Sequence, residues 1–250
     1  LILVTGPTGS GKTTTLYAAL SEANTPETKI ITAEDPVEFS LPRINQSQVN
    51  EKAGLTFAKI LRSALRQDPD VILVGEMRDT ETAEIAIRAS ITGHLVFSTL
   101  HTNGAVETAT RLLDMGVEGY ILASALQVII AQRLVRRICE HCASDTEIEG
   151  THRTWLEESL KVDSKTINFK QGQGCQHCNQ TGYRGRIGVY ELLEMRHETL
   201  DALRRNDSAA FTLAAKNTPG FKPFTECALE FVRQGITTLD EVIRITGSGR

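Results

Sequence analysis

The chain has 250 residues, of which 40% are hydrophobic and 23% are charged, and its formal net charge is −4. This length suffices for one large core, or for one core with a small additional module. The acidic balance argues against a protein that depends on positive charge to bind nucleic acid. The sequence contains no apolar run of about 18 residues, the length that a membrane-spanning helix needs. It opens directly on the apolar run Leu1–Val4, and we therefore expect a fragment whose N-terminal part has been removed.

Short apolar runs alternate with helical patterns over the first half of the chain. The runs are four or five residues long and rich in β-branched side chains, as buried parallel strands are. The predicted strands are Leu1–Thr5, Ile30–Ala33, Val71–Val74 and Leu95–Thr99. The predicted helices are Lys12–Glu22, Phe57–Arg66, Glu81–Ser90, Val106–Met115 and about Ile121–Val135. This alternation predicts an α/β fold with a parallel sheet covered by helices on both faces.

A phosphate-binding pattern follows the first predicted strand. Residues 6–13, GPTGSGKT, fit G-x-x-x-x-G-K-[ST] at every position and open a predicted helix. In this context, backbone N–H groups converge on phosphate oxygens, Lys12 reaches the β- and γ-phosphates, and the Thr13 hydroxyl binds Mg²⁺. The alternative is a glycine-rich turn without a ligand, and the complete motif argues against it. The predicted nucleotide contacts are Gly6, Pro7, Thr8, Gly9, Ser10, Gly11, Lys12, Thr13 and Thr14, together with Glu76.

Acidic residues follow two of the predicted strands, where doubly wound sheets place their ligands. Residues 34–38, EDPVE, come after the second strand, and Gly75-Glu76 come after the third. Gly75 stands where an aspartate is usual in a Walker B strand, so Glu76 is predicted to serve the Mg²⁺ shell. Hydrolysis also needs a base or a water-orienting group near the γ-phosphate, and residues 34–38 are the predicted source. A helix cap or a solvated carboxylate is the alternative for each acid.

Two histidines bracket the fourth predicted strand, with His94 before it and His101 after it. A histidine at the carboxyl end of this strand can hydrogen-bond the γ-phosphate and respond to its loss. This argument favours His101, whereas a structural role is an equal alternative for His94.

Four segments, in the order GPTGSGKTTTLY, ITAEDPVEF, LRQDPDVILVGEMRD and TGHLVFSTLHTN, resemble the secretion ATPase superfamily, the hexameric motors of type II secretion and type IV pili. The resemblance implies a RecA-like P-loop NTPase core that hydrolyses ATP with Mg²⁺. It also implies that Glu38 is the catalytic base, that Glu76 is the Walker B glutamate and that His101 lies near the γ-phosphate, so the predicted catalytic set is Lys12, Glu38, Glu76 and His101. In that family, arginines that complete the site come partly from a separate N-terminal domain, which we expect to be missing from this chain. From this half the candidates are Arg43, Arg62 and Arg78; a surface salt bridge is the alternative for each, and we prefer it for Arg62.

Partners and location are also implied by the resemblance. We expect a homohexamer in the full-length protein, an inner-membrane platform protein as partner, no nucleic acid, and a cytoplasmic location peripheral to the inner membrane. The resemblance further implies an assembly or secretion motor (GspE/PilB type), because such motors carry the four cysteines described next, whereas the retraction motors of the family generally lack them. Residues 41–46, 112–116 and 171–175 look closest to the ATPases of the MSHA pilus branch. Members of that branch can bind cyclic di-GMP through an N-terminal domain, so we expect no such site in this chain.

Four of the five cysteines form two Cys-x-x-Cys pairs, separated by residues 143–174: Cys139, Cys142, Cys175 and Cys178. Two such knuckles make a tetrahedral set of four thiolates, which suits structural Zn²⁺. Thr151–Leu160, with Trp155, is a predicted helix inside the interval. Two redox pairs are the alternative, but the βαβ context of a thioredoxin-type pair is missing. Cys227 lies in an apolar helical pattern and is predicted to be a core residue.

Composition divides the sequence into three predicted parts: residues 1–137 as the RecA-like ATPase core, 138–188 as the tetracysteine zinc module, and 189–250 as a C-terminal helical subdomain. The last part has helical patterns at Leu200–Leu203, Phe211–Ala214, Phe224–Val232 and Leu239–Ile245, which we interpret as a short bundle.

Two other functions stay open. One is a nucleic-acid-dependent ATPase with a zinc ribbon, such as a helicase fragment; arginines between 133 and 186 would favour it, but no aromatic side chains interleave with them. The other is a nucleotide-binding module that does not hydrolyse its ligand, and the intact P-loop with Glu38 and Glu76 argues against that.

Overall fold

The computed structural model describes residues 1–148 and 150–247. The chain folds into two compact units, and neither is continuous in sequence. Unit 1 comprises Leu1–Gln132 and Glu191–Phe221, and unit 2 comprises Arg133–Tyr190 and Lys222–Arg250. The division of the sequence at residues 137 and 188 stays a prediction, and the compact units divide the chain at other points.

The helices and strands follow one another along the chain as β1 (Ile2–Thr5), α1 (Lys12–Ala23), β2 (Ile30–Glu34), β3 (Asn45–Gln48), α2 (Phe57–Ala64), β4 (Val71–Val74), α3 (Thr80–Ile91), β5 (Leu95–Leu100), α4 (Ala105–Asp114), α5 (Gly119–Ala125), β6 (Val128–Ile138), β7 (Ala143–Asp145), α6 (Gly150–Leu160), β8 (Lys170–Gly172), β9 (Tyr183–Glu194), α7 (His197–Arg204), α8 (Ser208–Lys216), α9 (Phe224–Arg233) and α10 (Leu239–Thr246). Short 3₁₀ turns lie at Glu51–Ala53, Ser164–Thr166 and Gln176–Cys178. Among the described residues, no helix is both long and apolar enough to cross a membrane.

The main sheet has the strand order β3-β2-β4-β5-β1-β6-β9. β1 pairs in parallel with β5 and β6, and β2 pairs in parallel with β3 and β4. β4 also pairs in parallel with β5. Every residue of β2 and of β4 is buried, as expected for strands covered on both faces. The predicted α/β class with a parallel sheet is therefore confirmed.

Helix α2 illustrates how the sequence covers this sheet. Its apolar residues recur at helical spacing and five of its eight residues are buried. Thr56 precedes the helix, and its side chain accepts a hydrogen bond from the Lys59 N–H, which caps the first turn. The helix therefore begins directly after the capping residue Thr56, and its apolar side chains start at Phe57.

Four predicted strands and the first four predicted helices are confirmed, but the helix predicted over Ile121–Val135 is wrong. The chain forms α5 up to Ala125 and then enters β6 at Val128. Residues 128–131 pair with β1, and this pairing satisfies the backbone of an apolar run whose length does not itself distinguish helix from strand. Strands β3, β7, β8 and β9 were not predicted.

Unit 2 contains the antiparallel pair β7-β8 and the helices α6, α9 and α10. The helix predicted at Thr151–Leu160 and the four C-terminal helices are confirmed. The C-terminal helices form two pairs, however, with α7 and α8 in unit 1 and α9 and α10 in unit 2. The single bundle expected from their sequence is therefore replaced by these two pairs.

Candidate functional site

Four segments meet at one edge of the sheet in unit 1. Because β1, β2, β4 and β5 are parallel neighbours, their carboxyl ends share this edge. The loop 6–11 follows β1, residues 35–38 follow β2, residues 75–76 follow β4, and His101 follows β5. The register pairs Thr5 with Leu100, so the phosphate-loop pattern and His101 start side by side.

The loop between β1 and α1 has the backbone that a phosphate cradle requires. Gly6, Gly9 and Gly11 have φ values of 148°, 78° and 89°, a region that favours glycine. A Cβ at Gly6 would collide with the Gln132 carbonyl oxygen. Gly11 precedes α1 and gives its first turn no side-chain cap, and the N-terminus of a helix favours an anion. Lys12 opens the helix, and its Nζ donates to the Gly6 carbonyl oxygen at 2.8 Å.

Glu76 lies at the centre of a charged cluster. Its side chain is 16% exposed; one oxygen pairs with the Arg78 guanidinium, and the other lies 3.3 Å from His101 Nε2. Arg78 also lies 3.2 Å from the Asp35 carboxylate. The hydrogen bond to Glu76 raises the pKa of Arg78 above its usual value. Of the predicted catalytic residues, the structure thus brings Glu76 and His101 together. The link from Arg78 to Asp35 joins the segments that follow β4 and β2.

Gly75 stands in a tight place between β4 and β2. Its N–H donates to the Ala33 carbonyl oxygen at 2.7 Å. A Cβ at this position would lie 3.2 Å from that oxygen and 3.3 Å from Glu34 Cα. This close approach gives a physical reason for the glycine where an aspartate is usual.

Glu34, the last residue of β2, and Glu38, in the segment that follows it, have opposite environments. Glu34 is 3% exposed, and its carboxylate accepts hydrogen bonds from Tyr17, Thr32 and Gln46. Glu38 is exposed, and its backbone N–H donates to Tyr17 Oη at 3.3 Å. Only Glu38 of the two therefore presents an accessible carboxylate to a substrate.

The remaining predicted charged residues lie in other surroundings. His94 is at the opposite end of β5 from His101, and its Nδ1 lies 2.9 Å from the Ala89 carbonyl oxygen. Arg62 pairs with Glu81 at 2.5 Å, and both side chains are at least half exposed, which fits the surface salt bridge that the sequence favoured. Arg43 donates to the Asn24 carbonyl oxygen.

A chain of hydroxyl groups, which sequence reasoning missed, joins β1 to the segment that holds His101. Thr5 Oγ1 lies 2.5 Å from Thr102 Oγ1, which lies 2.6 Å from Thr108 Oγ1 in α4. Thr5 also donates to the Leu100 carbonyl oxygen. These contacts fix the segment after β5 to the strand that leads into the phosphate loop. Hydroxyl residues at such wide spacing carry no sequence signal of their own.

The four cysteines of the two knuckles converge in unit 2, and their sulfur atoms all lie within 4.8 Å of one another. Cys139 and Cys175 sulfurs are 3.9 Å apart, as are those of Cys142 and Cys178. A tetrahedral metal with bonds of about 2.3 Å requires sulfur separations of roughly 3.8 Å. None of the four forms a disulfide. The cluster therefore has the donor set and the spacing to bind a metal ion.

Backbone donors favour the thiolate form of Cys178, one of the four cysteines. Burial by itself would raise the pKa of Cys178, but the N–H groups of Cys175 and Gly182 donate to its sulfur and lower that pKa. A thiolate is the form that binds metals. His141 and His177 stack on each other at 3.9 Å between ring centroids.

Comparison with known proteins decides the family. Residues 1–244 match the family described as "Type II/IV secretion system protein". The chain belongs to this family. The type II secretion system ATPase E of Vibrio cholerae serotype O1 is 47% identical over 246 residues, which make up 98% of this chain and 48% of that protein. The type IV pilus assembly ATPase PilB of Acinetobacter baylyi is 46% identical over 249 residues, covering 98% and 42%. The chain spans about half the length of the curated relatives it matches.

Solved structures of a pilus retraction motor and of another ATPase share the fold. The pilus retraction motor PilT with bound ADP is 34% identical, with a TM-score of 0.70, over 98% of this chain and 60% of that one. The Legionella pneumophila ATPase DotB is 25% identical, also with a TM-score of 0.70, over 99% of this chain and 60% of that one. The predicted resemblance to the secretion ATPases is confirmed at the level of the family.

Proposed function

We propose that this chain is the ATP-hydrolysing half of a motor for type II protein secretion or type IV pilus assembly. The observation that carries the proposal is the meeting of the four segments after β1, β2, β4 and β5 at one sheet edge. Membership in the secretion family and similarity to named ATPases of both machines support it. The closer relation to the MSHA pilus branch stays a prediction.

The proposed roles follow from position. Residues 6–14 hold the phosphates, with the Lys12 ammonium moving from the loop carbonyls to the β- and γ-phosphates and the Thr13 hydroxyl on Mg²⁺. Glu76 would serve the Mg²⁺ shell, and His101, whose Nε2 lies 3.3 Å from Glu76, would hydrogen-bond the γ-phosphate. Mg²⁺ would neutralise the charge that develops on the phosphate oxygens.

Glu38 is the proposed base. Its exposed carboxylate orients a water molecule and accepts its proton as the oxygen attacks the γ-phosphorus. The bond between the γ-phosphorus and the bridging oxygen breaks, which yields ADP and phosphate. Glu34 is unsuited to this role because three donors already occupy its carboxylate.

The tetracysteine cluster is the proposed structural zinc site. Four thiolates fill a tetrahedral shell and leave no open position, so the ion would stabilise unit 2 and take no part in hydrolysis. We further propose a homohexamer in the cytoplasm, held at the inner membrane by a platform protein, without nucleic acid. This proposal rests on the family.

The decisive experiment measures ATP hydrolysis and zinc content in the protein expressed at its full encoded length, with and without DNA. We expect turnover that is independent of DNA and a single zinc ion per chain. Lys12→Ala and Glu38→Ala should both abolish hydrolysis, while Glu38→Ala still binds ATP. Strong stimulation by DNA would instead establish the nucleic-acid-dependent ATPase, and ATP binding without turnover would establish the non-hydrolysing module.

A further inference from the structure

A buried polar network in unit 1 connects the phosphate-binding helix with the segment that carries Glu38. Its centre is Glu34, which is 3% exposed at the end of β2. Tyr17 of α1 is equally buried, and its hydroxyl donates to one carboxylate oxygen. Gln46 of β3 donates to the other oxygen at 3.2 Å, beside the Thr32 hydroxyl. A buried carboxylate with three donors is held firmly in place, because the loss of any donor would leave a buried oxygen atom without that hydrogen bond.

The same two side chains hold the backbone of residues 38–41. Tyr17 Oη accepts from the Glu38 N–H at 3.3 Å, and the Tyr17 ring packs edge-on against Phe39 with centroids 4.7 Å apart. The Gln46 amide donates to the Phe39 carbonyl oxygen at 3.2 Å and accepts from the Leu41 N–H at 2.7 Å. The segment is thus held at the backbone of three residues, Glu38, Phe39 and Leu41, and we call this arrangement the clamp. The Glu38 side chain stays exposed.

Tyr17 also ties this clamp to the phosphate site. It lies on α1 five residues after Lys12, about 7.5 Å along the helix axis. Burial, followed by the hydrogen bond to Glu34, raises the pKa of Tyr17 to about 12, so its hydroxyl stays protonated at neutral pH. In that state it donates to Glu34 and accepts from Glu38 at the same time.

We propose that Tyr17 and Gln46 are positioning residues for the hydrolytic reaction, which hold the Glu38 backbone at a fixed distance from the phosphate-binding end of α1 through the buried Glu34 carboxylate. This inference rests on the proposed function of Glu38 as base. It assigns no contact with substrate to Tyr17 or Gln46. Their effect on the rate is exerted through the place of the Glu38 carboxylate.

The test is steady-state ATP hydrolysis by the full-length protein with Tyr17→Phe, which removes the hydroxyl and keeps the ring against Phe39. A displacement of about 1 Å at a reacting group can lower a rate by about 100-fold, so we expect kcat to fall by about 10- to 100-fold with unchanged affinity for a non-hydrolysable ATP analogue. Gln46→Met, which keeps the length of the side chain, should act in the same direction. Tyr120→Phe is the matched control, because Tyr120 is an exposed tyrosine that also hydrogen-bonds a glutamate, Glu118.

A double-mutant cycle separates positioning from general damage. If Tyr17 acts through Glu38, Tyr17→Phe has a much smaller effect on the rate of a Glu38→Asp variant, whose carboxylate is already displaced by one methylene, than on the wild-type rate. Equal losses in both backgrounds, or a loss of nucleotide affinity, would overturn the proposal and indicate a general structural role. An unchanged kcat in Tyr17→Phe would overturn it directly.

Hydrogen exchange distinguishes failure of this inference from failure of the proposed function. The amides of Glu38 and Leu41 should exchange about ten-fold faster in Tyr17→Phe and Gln46→Met respectively, since each loses one hydrogen bond. Wild-type protein without turnover would refute the proposed function, while faster exchange in the variants would still support the clamp. Unchanged exchange at both amides would refute the clamp whatever the turnover.

Discussion

The buried carboxylate of Glu241 offers a sharp test of what stabilises unit 2. This side chain of α10 is 1% exposed. It accepts hydrogen bonds from the backbone N–H and the guanidinium of Arg136 in β6, at 2.7 to 3.1 Å, and from the Arg244 guanidinium at 2.8 and 2.9 Å. Arg136 in turn lies 4.0 Å over the Tyr183 ring. Glu241→Gln removes the charge at nearly constant shape and turns an NH₂ group toward these donors.

The expected loss follows from burial. The Glu241 carboxylate is buried, but the Arg136 and Arg244 side chains are 51% and 54% exposed, so the cost of about 3–5 kcal/mol for breaking a fully buried ion pair is an upper limit. An isosteric amide keeps part of the hydrogen bonding, and we expect a loss of about 1–3 kcal/mol. Unfolding free energies of whole domains are about 5–15 kcal/mol, which makes this loss readily measurable. Trp155 is the single tryptophan of the chain and belongs to unit 2, so its fluorescence during urea denaturation reports on the unfolding of unit 2.

The pH dependence gives a second readout of the same group. Burial by itself would raise the pKa of Glu241, but the hydrogen bonds from Arg244 and Arg136 outweigh it and lower the pKa to about 2. An unfolded glutamate has a pKa of about 4.3. The stability that the charge contributes is therefore fully present above that value and is lost as the pH falls toward 2. The difference in unfolding free energy between the wild type and Glu241→Gln should therefore disappear as the pH falls from about 4.3 to 2.

Asp240→Asn is the control for this experiment, because Asp240 is the neighbouring acid of α10 and its side chain is 66% exposed. We expect a change within about 0.5 kcal/mol for it. If Glu241→Gln is as stable as this control, or if its deficit is independent of pH, the carboxylate does not hold β6 and α10 together.

Three further predictions concern the acidic segment, the Walker B glycine and the cysteines. Glu34→Gln should lower the free energy of unfolding by about 1–3 kcal/mol in urea denaturation, whereas Glu38→Gln should abolish ATP hydrolysis at unchanged stability. Gly75→Asp should lower turnover and stability in the same assays, since its Cβ would lie 3.2 Å from the Ala33 carbonyl oxygen; increased activity would contradict this reasoning. Chelation of zinc should lower the unfolding midpoint reported by Trp155, and restored zinc should return it.

The sequence predicted those parts of the fold whose signal is local. Apolar runs identified β1, β2, β4 and β5, and helical spacing identified the helices between them. β3 could not be predicted from apolar runs, because its four residues, Asn45–Gln48, are polar and pair through their backbone at the edge of the sheet. β6 was mistaken because an apolar run such as Val128–Ile130 fits either a helix or a buried strand until its partner β1 is known.

The candidate site divides in the same way. The phosphate loop is a continuous motif with fixed backbone chemistry, so the sequence names its residues one by one, and their contacts with a nucleotide stay predictions. The resemblance pointed to Glu38, but the different environments of Glu34 and Glu38 were not predictable, because they depend on donors from residues 17, 32 and 46, which come together only when α1, β2 and β3 pack. Within five residues, one carboxylate is buried as an anchor and the other is left exposed. Burial, which no motif encodes, therefore separates the acid whose carboxylate a substrate can reach from the acid whose carboxylate is held by its neighbours.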